Sequence, residues 1–361
     1  MKSFFYSLSI TIFIFFAIDF IFGDKIIKIL YDKKIILSEE KRLSEIKKKR
    51  EVEKKYRIKN EIYHHTLKPN IKTKSIWGNE EYNTCTDENG FRQNCEVKNT
   101  TEKNLILIGD SFVEGIGLEY EETFAGMLSK KLNYGVYNMG VSSYSPVIYK
   151  KKIFHFIEKG LKTKNVLVFV DISDIDDEAN NYFECEKKVC GKKAFDENSE
   201  KKIKKIKKDF PLFDLLKLSV KNIERAINPK IYIYRKDFTR SNWTFVDETK
   251  NIKLGIINSV NHMNELYDFL NKKNISLSVA VYPHPGQIIY DQKDSKQVKI
   301  WKNFCANKCK YFINYFPIFF NELDSSKPKK IIDKYYIKND IHFNYAGNLI
   351  IYEKLKNYIF D

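Results

Sequence analysis

Two short motifs of the chain carry side chains that together can perform nucleophilic catalysis. The tetrapeptide Gly-Asp-Ser-Phe at 109–112 follows the apolar run Leu105–Ile108, so Ser111 is predicted where a buried strand meets a turn. Asp340 and His342 stand two positions apart, just before a predicted C-terminal helix. A serine hydroxyl is a weak nucleophile and needs a base that a third group orients. The sequence therefore predicts that His342 takes the proton from Ser111 while Asp340 fixes the imidazole tautomer.

The elements that must position these residues alternate along the second part of the chain. Short apolar runs predict strands at 105–108, 135–138, 165–170, 275–282 and about 311–315, and amphipathic patterns predict helices at 121–132, 148–159, 255–271, 296–309 and 344–359. This alternation predicts an α/β fold with a parallel sheet covered by helices on both faces, the three-layer flavodoxin-like arrangement. In such a sheet, functional residues collect beyond the carboxyl ends of the strands.

With these positions, the chain resembles the SGNH/GDSL hydrolase superfamily over about residues 100 to 361. The resemblance rests on the Gly-Asp-Ser-Phe motif after a strand and on Asp-x-His near the C-terminus. It implies the SGNH-hydrolase fold and an oxyanion hole built from three elements. The segment 138–145 matches the second element and makes Gly140 a donor beside the Ser111 N–H. In the third element, Asp-Ile-Ser-Asp at 171–174, Ser173 occupies the place where the superfamily usually has Asn.

Two departures from the superfamily pattern bear on the predicted site. Loss of one oxyanion donor lowers the rate by about 10²–10³-fold, so Ser173 puts the third donor in doubt. The superfamily more often has two residues between Asp and His, a position that Asn339 occupies here. We prefer Asp340, because a carboxylate stabilises the imidazolium and an amide does not.

Three further residues are candidates for the pocket around the serine. Asp110 adjoins the nucleophile, and Asp174 lies at the end of another predicted core strand. His284 follows the strand at 275–282 and therefore belongs to the same rim of the sheet. Its alternative interpretation, a loop histidine held between Pro283 and Pro285, is the favoured one.

The N-terminal part of the chain predicts an anchored organisation. Ser3 to Phe22 is a run of about twenty residues with Asp19 as its only charge, long enough to span a bilayer. No small-x-small cleavage site follows, which favours an uncleaved signal anchor at 1–23 over a removed signal peptide. A charged helical stalk is predicted at 24–60 and a flanking segment with short strands at 61–100. The hydrolase-like domain then covers 101–361, with an insertion at about 180–250.

The cysteines indicate the compartment of the protein, and the distribution of charge indicates its partners. The six cysteines form three close pairs, 85 with 95, 185 with 190 and 305 with 309, which favours disulfides and an oxidising compartment; free thiols are the alternative, and zinc ligand spacing is absent. Lys and Arg are more numerous after the apolar run than before it, which opposes export. The net charge of +16 comes from lysine spread along the whole chain without a nucleic-acid reading element, so we expect no nucleic-acid partner.

Taken together, the sequence predicts acyl chemistry outside the cytoplasm, with no cofactor and no metal. The resemblance implies an ester hydrolase or an O-acyltransferase, with acetyl as the acyl group and a cell-surface glycan as the substrate. A transferase would also need a membrane partner that supplies the acyl group. The alternative is a catalytically silent SGNH-like module that binds glycan or scaffolds surface-polysaccharide assembly.

Overall fold

The computed structural model describes residues 2–32, 51–77, 80–96, 103–131, 135–191, 210–213, 216–217 and 240–359. The chain forms two compact units. The first combines Met1–Arg50 with Phe195–Tyr232, and the second combines Glu51–Ala194 with Ile233–Asp361. The second unit contains the sheet and every candidate site residue.

The first unit contains one long helix, α1 (Lys2–Asp32). Asp19 in its middle is fully buried, and its two carboxylate oxygens accept hydrogen bonds from the backbone N–H groups of Leu212 (2.7 Å) and Phe213 (2.8 Å). In the described part of the chain, no helix combines the length and the apolar composition that a membrane crossing requires. The predicted transmembrane anchor over Ser3 to Phe22 is therefore not supported. Instead, α1 continues without a break into the charged residues that follow Gly23.

Among its described residues, the second unit has twelve strands, a helical segment at 51–56 and ten α-helices from Ser111 onward. The strands are β1 (Arg57–Asn60), β2 (His64–Leu67), β3 (Lys72–Trp77), β4 (Glu80–Thr86), β5 (Arg92–Gln93), β6 (Lys103–Ile108), β7 (Gly135–Asn138), β8 (Asn165–Val170), β9 (Tyr182–Cys185), β10 (Lys188–Gly191), β11 (Ser276–Val281) and β12 (Phe312–Asn314). The helices are α2 (Ser111–Glu114), α3 (Phe124–Lys131), α4 (Pro146–Glu158), α5 (Asp174–Asn180), α6 (Lys250–Asn271), α7 (Pro285–Tyr290), α8 (Lys296–Cys305), α9 (Phe316–Asn321), α10 (Pro328–Tyr335) and α11 (Tyr345–Ile359), with 3-10 turns at Tyr120–Glu122 and Glu322–Asp324.

The central sheet has eight strands in the order β12-β11-β8-β6-β7-β5-β4-β3. The first five run parallel, as the alternation of strands and helices predicts. The last three are antiparallel, and β5 joins them to β7 through the pair Arg92 and Asn138. We call β3, β4 and β5 the antiparallel extension. The parallel sheet predicted for the core is present in the first five strands, and the flanking strands extend it by antiparallel pairing at the edge that β7 would otherwise leave open.

The core lies on the parallel strands. Every residue of Val166–Val170 in β8 and of Val279–Val281 in β11 is at most 2% exposed. Such continuous apolar runs are typical of strands with both faces covered. Helices α4, α5 and α6 pack on one another, and α11 packs on α3 and α10. The mixed α/β fold with a helix-flanked sheet agrees with the predicted fold class.

The predicted helical stalk and the predicted insertion are only partly described by the structure. Arg57–Asn60, at the end of the predicted helical stalk, is strand β1, paired antiparallel with β2. Residues 33–50 of the stalk and most of the predicted insertion, 192–209 and 218–239, lie outside the described residues. The described start of the insertion is the hairpin of β9 and β10.

All six cysteines form disulfides, each within one of the close pairs. Cys85–Cys95 links β4 to the segment after β5, Cys185–Cys190 links β9 to β10, and Cys305–Cys309 closes the end of α8. The third bridge avoids the mid-helix geometry that a spacing of four residues would impose, because α8 ends at Cys305.

Candidate active site

The candidate residues meet at the carboxyl ends of the parallel strands. The strand β6 ends one residue before Gly109, and β7 ends at Asn138, two residues before Gly140. Asp171 directly follows β8, and His284 comes three residues after β11. Because these four strands are parallel neighbours, the loops that follow them lie at one edge of the sheet, where open α/β sheets place their sites.

Ser111 is the first residue of the short helix α2. The Asp110 carboxylate caps this helix, since its Oδ1 accepts a hydrogen bond from the Phe112 N–H at 3.0 Å. Gly109 makes the tight turn feasible: a Cβ at this position would lie 2.5 Å from Val113 Cγ2 and 2.9 Å from the Phe169 carbonyl oxygen. The turn therefore fixes Ser111 at a helix N-terminus, where backbone N–H groups lack intrahelical acceptors.

Ser111, His342 and Asp340 form a continuous hydrogen-bonded chain. The Ser111 Oγ lies 2.7 Å from His342 Nε2, and His342 Nδ1 lies 2.5 Å from Asp340 Oδ1. With Nδ1–H donating to the carboxylate, Nε2 is free to accept the serine proton. The structure thus brings together the three residues whose spacing predicts catalysis. Asp340, rather than Asn339, contacts the imidazole.

The Asp340 carboxylate is held as an anion in a largely buried place. Burial by itself would raise the pKa of Asp340, but hydrogen bonds from His342 and from Trp77 hold it below its usual value. The backbone N–H of His342 also donates to Asp340 Oδ1, at 2.9 Å. This local turn explains why a spacing of two residues suffices for the pair.

The three predicted oxyanion donors differ in their present partners. The Gly140 N–H donates to Asn138 Oδ1 at 3.1 Å, and the Ser173 N–H donates to Asp171 Oδ1 at 2.7 Å. Gly140 does lie against the nucleophile helix, since a Cβ there would be 2.6 Å from Val113 Cβ. The oxyanion role of Gly140 and Ser173 stays a prediction: the Gly140 N–H must share or exchange its hydrogen bond to fulfil it, and Ser173 would donate through its side-chain hydroxyl.

Three carboxyl groups are buried behind the serine. Burial, followed by the negative charge of Asp171, raises the pKa of Asp110 to about 7. Burial together with the charges of Asp171 and Asp110 also raises the pKa of Asp174, whose Oδ2 accepts from the Tyr149 hydroxyl at 2.9 Å. The Ser111 hydroxyl also lies 3.2 Å from Asp110 Oδ2, which is therefore a second hydrogen-bond acceptor beside this hydroxyl.

The predicted pocket residue His284 is paired with a carboxylate instead of the serine. Its Nε2 lies 2.6 Å from Asp171 Oδ2, and both side chains are almost fully buried. Burial alone would raise the pKa of Asp171, but the contact with His284 holds it well below its usual range. His284 is also the N-cap of α7, which agrees with the favoured interpretation of a fixed loop histidine.

Trp77, at the end of β3, is a further neighbour of the site that no sequence motif indicates. Its Nε1–H donates to Asp340 Oδ2 at 3.0 Å, and its ring meets the His342 ring edge-on at a centroid distance of 5.1 Å. No local sequence signal points to it, because 263 residues separate it from Asp340.

Among the described residues, one group has the side-chain types and spacing that can hold a metal ion: Glu184, His262 and Glu265. The Lys150 ammonium lies among them, 2.5 Å from both carboxylates and 3.1 Å from His262 Nδ1. Lys151 also pairs with Glu184, so two cations of this chain balance the two carboxylates of the cluster.

Comparisons with known proteins find similarity in solved structures. No family model matches the sequence, and neither does any curated protein. Similar structures include a member of the lipolytic protein G-D-S-L family from Veillonella parvula (11% identity, TM-score 0.37, 72% of this chain and 98% of that chain covered) and a psychrotrophic esterase from a Pseudoalteromonas species (10%, 0.38, 72% and 97%). An acetylxylan esterase from Geobacillus stearothermophilus is similar at 12% identity and a TM-score of 0.41, with 72% and 96% covered.

At such identities and TM-scores the likeness carries no argument about substrate or reaction. The chemistry of this chain therefore rests on the geometry of its own site.

Proposed function

We propose that the chain is a serine-dependent enzyme of ester chemistry that works through an acyl-Ser111 intermediate. The observation that carries the proposal is the hydrogen-bonded chain from Ser111 Oγ through His342 to Asp340. A serine, a histidine and a carboxylate in this order are the arrangement that turns a hydroxyl into a nucleophile.

In the first half of the reaction, Ser111 Oγ attacks the carbonyl carbon of the ester. His342 Nε2 accepts the Ser111 proton as the new C–O bond forms, and Asp340 stabilises the resulting imidazolium. The Ser111 N–H, at the start of α2, is positioned to donate to the developing oxyanion. Collapse of the tetrahedral intermediate breaks the bond to the leaving alcohol, which takes the proton from His342.

The second half of the reaction removes the acyl group from Ser111. His342 accepts a proton from the attacking hydroxyl, and the ester bond to Ser111 breaks as Oγ recovers a proton. If the attacking hydroxyl belongs to water, the enzyme is an esterase; if it belongs to a sugar, the enzyme is an O-acyltransferase served by a membrane acyl donor. We propose acetyl as the acyl group and a cell-surface glycan as the substrate, and the net charge of +16 suits an acidic glycan.

We place this activity outside the cytoplasm. The three disulfides support this proposal, because such bonds persist in oxidising compartments. Non-reducing mass spectrometry of protein purified from its native source tests it: three disulfides are expected, and six free thiols would contradict the location.

A serine-directed fluorophosphonate tests the central claim on the full chain. We expect labelling at Ser111, none in Ser111→Ala and a sharp reduction in His342→Ala. Ser142→Ala is the matched control, because this serine lies on the neighbouring loop and has no role in the proposed reaction. Absence of labelling on folded protein would reject the proposal.

A second candidate is a silent module that binds glycan without turning it over. Ser173 at the place of the superfamily's Asn and the partnered N–H of Gly140 favour it, since a missing or occupied donor stabilises an oxyanion poorly. Glycan binding without fluorophosphonate labelling would establish this candidate. For a labelled enzyme, acetyl release measured with and without oligosaccharide acceptors separates hydrolase from transferase.

A further inference from the structure

We infer that Trp77 is a positioning residue of the catalytic triad, supplied by the antiparallel extension. The inference rests on the proposed function and goes beyond it. Trp77 does not touch the reacting atoms; it acts through Asp340 and His342.

Trp77 reaches the site because the extension continues the sheet past β7. Within the described part of the chain, strand β3 is an edge strand, and it pairs with β4 from Lys72 to Trp77. Trp77 is its last residue, so its ring lies where the edge strand ends. The contact with Asp340 is therefore set by the pairing of β3, β4 and β5, and not by any nearby sequence.

Two contacts of Trp77 restrain the same pair of side chains. The Nε1–H binds Asp340 Oδ2, while His342 binds Oδ1 of the same carboxylate. With each oxygen assigned to a different donor, the carboxylate cannot rotate without breaking a charge-assisted hydrogen bond. The edge of the indole against the His342 ring limits the imidazole as well.

Partial exposure of Asp340 makes this restraint matter. Its side chain is 22% exposed, whereas that of His342 is only 5% exposed. Without Trp77, water would compete for Oδ2 and the carboxylate would gain alternative orientations. A misoriented Asp340 carboxylate no longer keeps the proton of His342 on Nδ1. Proton transfer from Ser111 is then slower, while binding of the ester is unchanged.

The same extension also binds the loop after the nucleophile helix. Arg92, 2% exposed, donates from Nη1 to the Glu114 carbonyl and from Nη2 to the Leu118 carbonyl, both at 2.5 Å. Gly117 in that loop has φ +82° and lies next to Trp77: a Cβ there would be 3.6 Å from the indole Cδ1. The extension thus contacts the acid–base pair through Trp77 and, through Arg92, the end of the nucleophile helix and the loop after it.

The test uses hydrolysis of p-nitrophenyl acetate by the full chain. Trp77→Phe keeps an aromatic ring but removes the N–H donor. We expect kcat to fall about tenfold, as for a lost hydrogen bond to a charged group, with KM unchanged within twofold. Trp301→Phe is the matched control: Trp301 is buried in α8, and its Nε1 has no partner among the described residues. It should change kcat less than twofold.

A double-mutant cycle separates positioning from simple packing. If Trp77 acts through Asp340, then Trp77→Phe should change kcat less than twofold in an Asp340→Asn background, since the group it orients is gone. Equal tenfold losses in both backgrounds would overturn the inference, and so would an unchanged kcat in Trp77→Phe alone. Thermal unfolding of each variant identifies loss through misfolding, in which case Trp77→Tyr replaces the phenylalanine variant.

Failure of this inference is distinguishable from failure of the proposed function. If the unmodified chain is neither labelled by the fluorophosphonate nor active on p-nitrophenyl acetate, the proposed function fails first. If the unmodified chain is active and Trp77→Phe matches it, only the role of Trp77 is rejected.

Discussion

Two histidine–aspartate pairs contact the ring of Phe112, and they differ in whether the histidine also contacts a serine hydroxyl. The ring of Phe112 is 4.9 Å from that of His342 and 5.2 Å from that of His284. His342 has Asp340 on one nitrogen and Ser111 on the other, whereas the Nε2 of His284 faces Asp171 deep in the sheet edge.

The surroundings of the two carboxylates explain the difference. Asp340 lies in a loop, is partly exposed and accepts from a tryptophan, while Asp171 is fully buried and accepts from the Ser173 N–H. A buried pair of this kind compensates charge in the interior. A partly exposed pair next to a hydroxyl can pass a proton to and from a substrate. A histidine and an aspartate in contact therefore do not by themselves define a role. The contact of His342 with Ser111 is what distinguishes the two pairs.

The largest expected effect that separates the pairs comes from His342→Ala. We predict that kcat for p-nitrophenyl acetate falls by about 10⁴-fold or more, because no base remains for Ser111. The free energy of unfolding should change by only about 1 kcal/mol, measured by chemical denaturation. Substantial residual activity would mean that another group takes the serine proton, and the comparison of the pairs would fail.

His284→Ala should show the opposite pattern. Removal of one partner from a buried pair leaves Asp171 uncompensated, so we expect the free energy of unfolding to fall by about 3–5 kcal/mol. Activity per folded molecule should stay within about tenfold, measured below the unfolding midpoint. A loss as large as that of His342→Ala, in folded protein, would show that both pairs take part in the chemistry.

Asp110, which adjoins Ser111, is expected to make the stability of the protein depend on pH. Its pKa of about 7 in the folded protein lies above the ordinary value of 3.8, so the folded state holds a proton that the unfolded state has lost. Stability is therefore expected to fall as pH rises from 5 to 7, by about 2 kcal/mol at most. In Asp110→Asn this part of the pH dependence should vanish, as denaturation at several pH values would reveal. An unchanged pH dependence in the variant would assign the effect to other groups.

The smallest effect is expected from the ring that the two pairs share. Phe112→Leu should lower the free energy of unfolding by about 1 kcal/mol, because the core position keeps most of its apolar volume. We expect kcat to fall only a few-fold, since no hydrogen bond of the triad involves this side chain. A loss of more than about a hundredfold would indicate that the ring itself orients His342.

The parts of the site that the sequence predicted are the ones encoded locally. Ser111 follows a strand and begins a helix, and Asp340 and His342 occupy one turn, so spacing and capping rules suffice to place them. The bounds of β8 are predicted correctly for the same reason, because a continuous apolar run indicates a buried strand.

What the sequence could not predict depends on contacts between distant segments. The partnership of Asp171 with His284 spans 113 residues, and that of Trp77 with Asp340 spans 263. The antiparallel extension was predicted only as short strands, because strand order is set by pairing across the sheet and leaves no local pattern. The predicted anchor over Ser3 to Phe22 rested on apolar composition, while the partners of the buried Asp19 come from residues 212 and 213.

The order of the sheet has a consequence for how copies of this protein behave at high concentration. An open strand at the edge of a sheet offers unpaired backbone groups to another molecule, which invites aggregation. Here one outer strand, β12, has only three residues, and the other, β3, has exposed lysines at 72 and 74. Lysines on two β3 edges repel each other, and a three-residue strand such as β12 offers few backbone groups for pairing. The exposed lysines at 72 and 74 are thus expected to oppose edge-to-edge pairing at the strand that carries Trp77.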